Sequence, residues 1–286
     1  VVVDGYRLAL HQLPSGVLLE QATVILGKGM VIHPGDVLAE IDEVRRVIGA
    51  LPAALRVDPQ AVLALDTHRA LEGALKNWAA GGQGATGRGI SPAYADVLFR
   101  HPVRVRDLVA DDWRDRLGQH YDLYGALVGG LGDDLAAQRV VRLDGDPIVV
   151  GDKAAFLARL ADQRALLLPY ITDVYPLLRE AWADPAIPFV FEGAQAVGLD
   201  PRYGVYPDVT ASDPTINGIL PSTEGLVQPG AIAVRLATIK ATYTSSVGSR
   251  QLPTAMDEAL AHRIQHRLDL IGRHQPLERP QSDAVV

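Results

Sequence analysis

Short β-branched segments alternate with longer stretches of helical periodicity, and this alternation limits the possible folds more than any other feature of the sequence. Ala22–Leu26 and Met30–Ile32 have the composition of buried strands on either side of the glycine-flanked Lys28. A helix capped by Asp36 is predicted next, from apolar residues at helical spacing: Val37, Ile41, Val44 and Ile48. This order predicts an α/β fold with a central, mostly parallel sheet flanked by helices.

The same pattern continues through the rest of the chain. The further predicted helical stretches are Asp58–Asn77, residues 107–186 with a break around Val140–Val150, and Thr254–Ile271, and the further predicted strands are Pro188–Phe191 and Ala231–Thr242. No repeat or linker divides residues 1–272, so we expect them to form a single domain. Residues 273–286 are polar and contain prolines, which predicts a loose tail.

Cysteine content and charge exclude several classes of function. The 286 residues contain no cysteine, which excludes disulfides, thiolate nucleophiles and cysteine metal sites and is typical of a cytoplasmic protein. The net charge of −7 argues against a nucleic-acid partner, and no apolar run approaches the roughly 18 residues of a membrane span. Arginine far outnumbers lysine among the 27 basic residues, and arginine is suited to forked recognition of phosphate and carboxylate.

Residues 79–89 are the most glycine-rich segment, and they end in Thr86–Gly89 (TGRG). Glycines let backbone N–H groups approach an anion, so one interpretation is a phosphate or oxyanion cradle. The other is a flexible surface connection, which the bare TGRG pattern favours. No Gly-Lys-Ser/Thr follows at the spacing of a Walker A sequence.

A dense set of polar residues follows the predicted strand Pro188–Phe191. Its members are Glu192, Gln195, Asp200, Tyr203, Tyr206, Thr210, Ser212, Asp213 and Thr215. Ligands of open α/β sheets bind beyond the carboxyl ends of strands, and an amide such as Gln195 suits a heterocycle edge or a ribose hydroxyl. A long loop that satisfies its own backbone through side-chain turns is an equally good interpretation.

Two further clusters of basic residues have weaker claims to function. Arg100, Arg104 and Arg106 form a basic patch, for which the charge pattern favours a solvated face paired with Asp107, Asp111 and Asp112. His262 and His266 share one helix face, but they lack the intervening glutamate of HExxH and arginines flank them, so we predict no metal site. Spacing alone identifies no catalytic set.

Taken in order, these segments resemble the adenylosuccinate synthetase family from Val1 to about Thr254. The motifs that carry the resemblance are Leu10–Val17, Ile25–Pro34, Thr86–Asp96 (TGRGISPAYAD), Arg104–Leu108, Phe191–Gln195 (FEGAQ), Gly204–Thr210 (GVYPDVT), Lys240–Val247 and Leu252–Thr254. Within the third motif, Ser91 stands where the family usually has glycine. The resemblance is specific because several separate motifs occur in the correct order.

The resemblance implies a GTP- and Mg²⁺-dependent ligase of purine biosynthesis, on a fold related to P-loop NTPases. Such an enzyme joins L-aspartate to IMP through a 6-phosphoryl intermediate. The substrate-binding residues that carry over by position are Thr86 at the IMP phosphate, Arg100 reaching the nucleotide of a partner subunit, Gln195 near the purine base and Thr210 at a second phosphate contact. The resemblance therefore also implies a cytoplasmic homodimer.

The sequence departs from the family in ways that leave the catalytic residues unassigned. The family's phosphate loop, Gly-Asp-Glu-Gly-Lys-Gly-Lys, and its Asn-Ala-Gly-His motif do not occur in these residues. We expect them upstream of Val1, since the chain opens on a strand without an initiator methionine. The arginine-rich aspartate loop and the guanine-reading Lys-x-Asp pair are not found either.

Local differences leave two alternatives open. Ser246 and Ala255 replace an arginine and a glutamate of the family, and Asp213–Gly218 matches its counterpart only loosely. One alternative is a divergent ligase with another acceptor, such as dGMP or a nucleoside-like molecule. The other is a non-catalytic, dimeric nucleotide-binding paralogue.

Overall fold

A computed structural model describes residues 2–3, 5–78, 86–143, 145–237 and the separate positions 257, 259–260, 262–263 and 266–267. The described strands are β1 (Val2–Val3), β2 (Tyr6–Arg7), β3 (Thr23–Leu26), β4 (Val31–Ile32), β5 (Ala54–Val57), β6 (Val62–Leu63), β7 (Arg139–Val141) and β8 (Pro147–Val149). The described α-helices are α1 (Pro34–Ile48), α2 (Asp66–Asn77), α3 (Ile90–Phe99), α4 (Val105–Val109), α5 (Trp113–Gly130), α6 (Lys153–Leu167), α7 (Tyr175–Ala183) and α8 (Ile219–Ser222).

Two pairs of parallel strands form the centre of the fold. β3 pairs with β5 and β4 pairs with β6 in one continuous register, because each residue lies the same number of positions before its partner in both pairs. Hydrogen bonds from Asp58 N to Leu26 O and from Val62 N to Met30 O continue the ladder between the two pairs. The α/β class and the parallel sheet predicted from the alternation of elements are therefore confirmed.

Helix α1 and the parallel strands enclose the main core. Val37, Ile41 and Val44 repeat at helical spacing and are fully buried against strand residues such as Val57 and Leu63. Helix α6 packs beside α1 and adds Phe156 and Leu160 to the same cluster. This apolar layer holds the carboxyl ends of β4 and β6 in fixed positions.

Two predicted strands are wrong where the structure describes them. Residues 188–191 and 232–237 are extended or irregular and form no strand, and Val190 and Leu236 are 89% and 87% exposed. Apolar composition suggested burial, but a strand needs a neighbour for its backbone N–H and C=O groups, and no described residue pairs with these segments. The predicted strand residues 238–242 lie outside the described residues.

Several predicted boundaries also need correction. The helix predicted over Asp58–Asn77 begins only at Asp66, because Val62–Leu63 pairs with β4 as a strand. The cap of α1 is His33, whose Nδ1 accepts a hydrogen bond from the Asp36 backbone, so Asp36 lies inside the first turn. The mainly helical stretch predicted over residues 107–186 is confirmed, and the predicted break around Val140–Val150 contains the strands β7 and β8.

The C-terminal predictions are only partly covered by the structure. Residues 259–260, 262–263 and 266–267 are helical, within the predicted helix Thr254–Ile271. The tail 273–286 lies outside the described residues. No helix in the described ranges has the length and apolar character needed to cross a bilayer.

Candidate functional site

The first turns of α2 carry buried polar side chains just beyond the carboxyl end of β6. Asp66, His68 and Arg69 are at most 6% exposed, and Thr67 and Glu72 on the same helix are also buried. Together with the side chains that bind them, these five residues are called here the α2 polar network. Because the carboxyl ends of parallel strands are the usual place for ligands in α/β proteins, we take this network as the base of the candidate site.

One half of the network joins α1 to α2 through charge pairs. Arg69 binds the Asp36 carboxylate, and His33 Nε2 lies 3.2 Å from Asp66 Oδ1. Arg159 of α6 contacts Asp66 Oδ2 at 3.2 Å. Burial alone raises the pKa of Asp66, but the hydrogen bond from His33 and the nearby arginines outweigh it and hold that pKa below its usual value.

The other half of the network is a buried histidine pair. Leu65 N donates to His68 Nδ1 at 2.9 Å, so His68 Nε2 carries the proton and donates to Asp96 Oδ2 at 3.2 Å. Tyr124 donates to the same Asp96 oxygen at 3.1 Å. Burial lowers the pKa of His68, although Asp96 partly opposes the shift, and it raises the pKa of Tyr124.

His120 completes this half and has no carboxylate partner of its own among the described residues. Its Nε2 lies 2.8 Å from Thr67 Oγ1, and burial lowers the pKa of His120 far below the ordinary value. Ligand-type atoms of His68, Asp96 and His120 lie within 4.8 Å of one another, a spacing that could suit a metal ion. A metal would need the lone pair of His68 Nε2, which the hydrogen bond from Leu65 leaves protonated, so we read the cluster as a hydrogen-bond network.

Glu72 fixes the Thr86–Gly89 loop to the α2 polar network. Gly89 N donates to Glu72 Oε2 at 2.7 Å, and burial raises the pKa of Glu72, an effect that the Gly89 N–H, Arg69 and Lys76 partly oppose. Gly89 has φ +74°, and a Cβ there would lie 2.8 Å from His68 Cβ. Only glycine fits this close approach without strain. Thr86, at the other end of the loop, is exposed.

The loop keeps backbone donors available for a ligand. No described residue accepts a hydrogen bond from Gly87 N or Arg88 N. Arg88 Nη1 donates a hydrogen bond to Arg142 O at 3.3 Å and lies 3.9 Å from Asp36 Oδ2. Because Asp36 belongs to α1, the Arg88 side chain points back towards that helix. The glycine segment therefore ends in an anchored turn, although residues 79–85 of the predicted loop lie outside the described residues.

The basic patch separates into residues with different surroundings. Arg100 ends α3 in the left-handed conformation with φ +69°, is exposed, and pairs with no carboxylate among the described residues. Arg104 and Arg106 both reach Gln60. Asp107 and Asp112 form ion pairs with Arg116, and Asp107 Oδ2 also accepts the Arg104 backbone N–H at 2.7 Å. Among the described residues, the side chains of the patch therefore do not form the predicted ion pairs with these aspartates.

The polar loop after residue 191 is held mainly by its own side chains. Asp200 accepts from Arg202 N at 2.7 Å and pairs with the Arg202 side chain, as in the side-chain turns that the sequence suggested. Thr210 N donates to Leu199 O at 2.7 Å, which closes the loop. Gln195 lies apart from these contacts, exposed and with φ +72°.

One electrostatic interaction shows that Asp213 of this loop lies near α3. The charge of Asp213 adds to the effect of burial in raising the pKa of Tyr94, a residue of α3 whose hydroxyl donates to Gly29 O at 3.2 Å. Thr86 precedes α3 and Arg100 follows it, whereas Gln195 and Thr210 belong to the same loop as Asp213. His262 and His266 are exposed and apart from all these contacts.

Sequence reasoning missed the α2 polar network. The four consecutive residues Asp66–Arg69 directly follow a buried strand, and a polar run at that position is the signal that could have revealed it. The histidine pair that was considered, His262 and His266, lies elsewhere.

Comparison with known proteins decides the family. The sequence model of the family described as Adenylosuccinate synthetase matches residues 1–275. The chain belongs to the adenylosuccinate synthetase family. The adenylosuccinate synthetase of Thermus thermophilus is 38% identical over 268 residues, which are 93% of this chain and 59% of that protein.

Other members give the same result. The adenylosuccinate synthetase of Pseudomonas fluorescens is 34% identical over 270 residues, covering 92% of this chain and 58% of the relative. A structure of the fully ligated adenylosuccinate synthetase from Plasmodium falciparum superposes with a TM-score of 0.76 at 23% identity, covering 93% of this chain and 58% of that one. This similarity confirms the adenylosuccinate synthetase-like fold, and the chain spans somewhat under three-fifths of the relatives it matches.

Proposed function

We propose that this chain belongs to a GTP-dependent ligase that joins L-aspartate to IMP through a 6-phosphoryl intermediate. The observation that carries the proposal is the family match over residues 1–275. The matched relatives bear the name of that enzyme, so they favour it over a ligase with another acceptor and over a non-catalytic nucleotide-binding paralogue. Residues 1–272 would form one domain of this enzyme, in the cytoplasm.

In this proposal the Thr86–Gly89 loop holds the phosphate of IMP. The N–H groups of Gly87 and Arg88, for which the described part of the chain supplies no acceptor, suit a phosphate oxygen, and Thr86 adds a hydroxyl donor. Glu72 and the close packing of Gly89 give the loop a fixed position before the nucleotide arrives. A fixed loop loses less entropy on binding than a flexible one.

Arg100 would serve a second subunit. It lies at the far end of α3 from Gly89, and ten helical residues span about 15 Å, too far to share one phosphate with Thr86. The neighbouring Leu98 and Phe99 are 83% and 73% exposed, which supports a protein contact there. A homodimer in which Arg100 crosses the two-fold axis satisfies both observations.

Gln195 and Thr210 would bind the rest of the nucleotide. The exposed amide of Gln195 can both donate to and accept from the edge of the purine ring. The Thr210 hydroxyl, 3.0 Å from Ser212 Oγ, would make the second phosphate contact. Proton transfer, aspartate binding and the GTP site are not assigned to residues of this chain.

The Mg²⁺ implied by the family would neutralise phosphate charge when bound. The buried carboxylates of the α2 polar network do not fit it, because Asp36, Asp66 and Asp96 are already held by Arg69, His33 and His68 respectively. We therefore place no Mg²⁺ ligand in the α2 polar network and assign no reaction step to that network.

Calorimetric titration of the chain with IMP tests the phosphate-binding proposal. We expect IMP to bind and inosine, the matched compound without the phosphate, to bind at least tenfold more weakly. Equal affinity for the two, or no IMP binding, contradicts the assignment of the Thr86–Gly89 loop. The ligase activity is tested in the product of the whole reading frame with GTP, Mg²⁺ and aspartate, where the absence of aspartate-dependent turnover of IMP would refute it.

A further inference from the structure

Ser15 and Glu192 connect two motifs that are 177 positions apart in the sequence. The Glu192 carboxylate Oε2 accepts from Ser15 Oγ at 2.7 Å and from Ser15 N at 3.0 Å. Glu192 lies three residues before Gln195. The pair therefore joins the loop proposed to contact the purine base to an early part of the chain that the nucleotide-binding residues do not include.

The Ser15 side of this contact is rigid. Leu13 and Val17 flank it and are at most 2% exposed in the main core. The buried Glu40 carboxylate of α1 accepts the backbone N–H groups of residues 11–13. Ser15 itself begins a short 3₁₀ turn over Ser15–Leu18, so its N–H has no partner within the turn and is available to Glu192.

The Glu192 side has little else to hold it. Among the described residues, 188–195 make no hydrogen bond other than the two from Ser15. The rings of Phe189 and Phe191 also contact Trp182 and each other. Gln195 adopts φ +72°, a left-handed conformation that is unfavourable for a residue other than glycine. A backbone held in a costly conformation within a loop of few contacts needs an anchor close by.

We propose that Ser15 and Glu192 are positioning residues for IMP binding, because they fix the loop from which Gln195 reaches the purine base. The inference rests on the proposed function of Gln195. Neither residue needs to touch the substrate. The hydroxyl and the N–H of Ser15 both donate to the same oxygen of Glu192. These two hydrogen bonds fix the position of Glu192 and therefore the direction in which the chain continues to Gln195.

Four variants separate anchoring from other effects. Glu192→Ala removes both hydrogen bonds, and Glu192→Gln keeps an oxygen that can accept them. Ser15→Ala removes the hydroxyl bond, and Ser15→Thr restores it. Glu180→Ala, at an exposed position of α7, is the matched control. For each variant the measurements are the Kd for IMP, the Tm without ligand, and deuterium exchange of residues 188–197 without ligand.

We expect Glu192→Ala to weaken IMP binding at least tenfold and to speed exchange of residues 188–197, with a Tm close to that of the unchanged chain. Ser15→Ala gives a smaller change of the same kind, about threefold to tenfold, and Ser15→Thr and Glu192→Gln recover most of it. Glu180→Ala leaves all three measurements unchanged.

Two results would overturn the inference, and they differ from failure of the proposed function. Unchanged exchange in Glu192→Ala would show that the contact does not anchor the loop. Faster exchange with unchanged IMP affinity would show that anchoring does not serve the substrate. If the unchanged chain does not bind IMP, the proposed function fails first and the positioning role fails with it.

Discussion

At the scale of single residues, Glu72 shows how one buried carboxylate can hold a loop in position. Glu72 is 5% exposed and accepts the N–H of Gly89 at 2.7 Å. We expect Glu72→Ala to lower the free energy of unfolding by about 1–3 kcal/mol, because it leaves the Gly89 N–H buried without an acceptor. Urea unfolding at neutral pH measures this.

The pH dependence of the same residue has a definite sign. Because burial raises the pKa of Glu72 above its ordinary 4.5, the folded state binds its proton more tightly than the unfolded state, and its contribution to stability declines as pH rises from that value. Glu72→Gln keeps an acceptor without the charge, so its stability relative to the unchanged chain should improve between pH 4.5 and 7. A constant difference, or the same behaviour in the exposed-site control Glu180→Ala, would contradict this.

The motifs of the sequence identify the family, whereas the contacts that depend on packing could not be predicted from it. A phosphate contact of Thr86 stays a prediction from the family resemblance, and the structure adds the Glu72 anchor of Gly89, which no motif contains. The predicted ion pairs of Arg100, Arg104 and Arg106 with nearby aspartates do not form among the described residues, because Arg116 of the next helix, α5, reaches Asp107 and Asp112 instead. Which of several neighbouring arginines meets a carboxylate depends on backbone direction, which sequence spacing does not give.

At the scale of secondary-structure elements, α2 and α5 meet through two histidines buried without charge. Burial lowers the pKa of His68 and lowers that of His120 much further, so the unfolded chain binds protons that the folded chain does not. Stability from this contact is present above about pH 6.5 and is lost as pH falls below it, by at most about 1.4 kcal/mol per pH unit for each histidine.

Replacement of one histidine tests the effect on the α2–α5 contact. We expect His120→Gln to flatten the decline of the unfolding free energy between about pH 6.5 and 5, because one buried proton-binding group is removed. Urea unfolding at several pH values gives the slope. His262→Gln, at an exposed position, should leave the slope unchanged, and an equal slope in His120→Gln would show that His120 is not the group responsible.

Elements were predictable where local pattern and pairing agree. The spacing of Val37, Ile41 and Val44 predicted α1, and β-branched runs predicted β3 and β4. These predictions succeeded because the apolar residues that produce each pattern are also the residues that each element buries in the core. Pro188–Phe191 has equally strong strand composition but no strand beside it among the described residues. Strand formation depends on a distant partner, and a single segment contains no information about whether one is present.

At the scale of the whole molecule, the proposed dimer makes each nucleotide site depend on two chains. If Arg100 acts across the two-fold axis, Arg100→Ala damages the site of the partner subunit, whereas Gln195→Ala damages the site of its own subunit. Arg100→Ala should weaken IMP binding with little change in Tm, because the side chain is exposed and pairs with no described carboxylate. Arg100→Lys, which keeps the charge without the guanidinium fork, should recover only part of the affinity.

Mixing the two variants decides between the arrangements. In a dimer of one Arg100→Ala chain and one Gln195→Ala chain, one site has both residues intact and the other has neither. After random exchange of subunits, about half of the dimers are mixed, so about a quarter of all sites should recover the affinity for IMP of the unchanged chain. If Arg100 instead serves its own subunit, every site lacks one residue and no high-affinity fraction appears at any mixing ratio. Calorimetric stoichiometry of the equimolar mixture, compared with each variant alone, distinguishes the two cases.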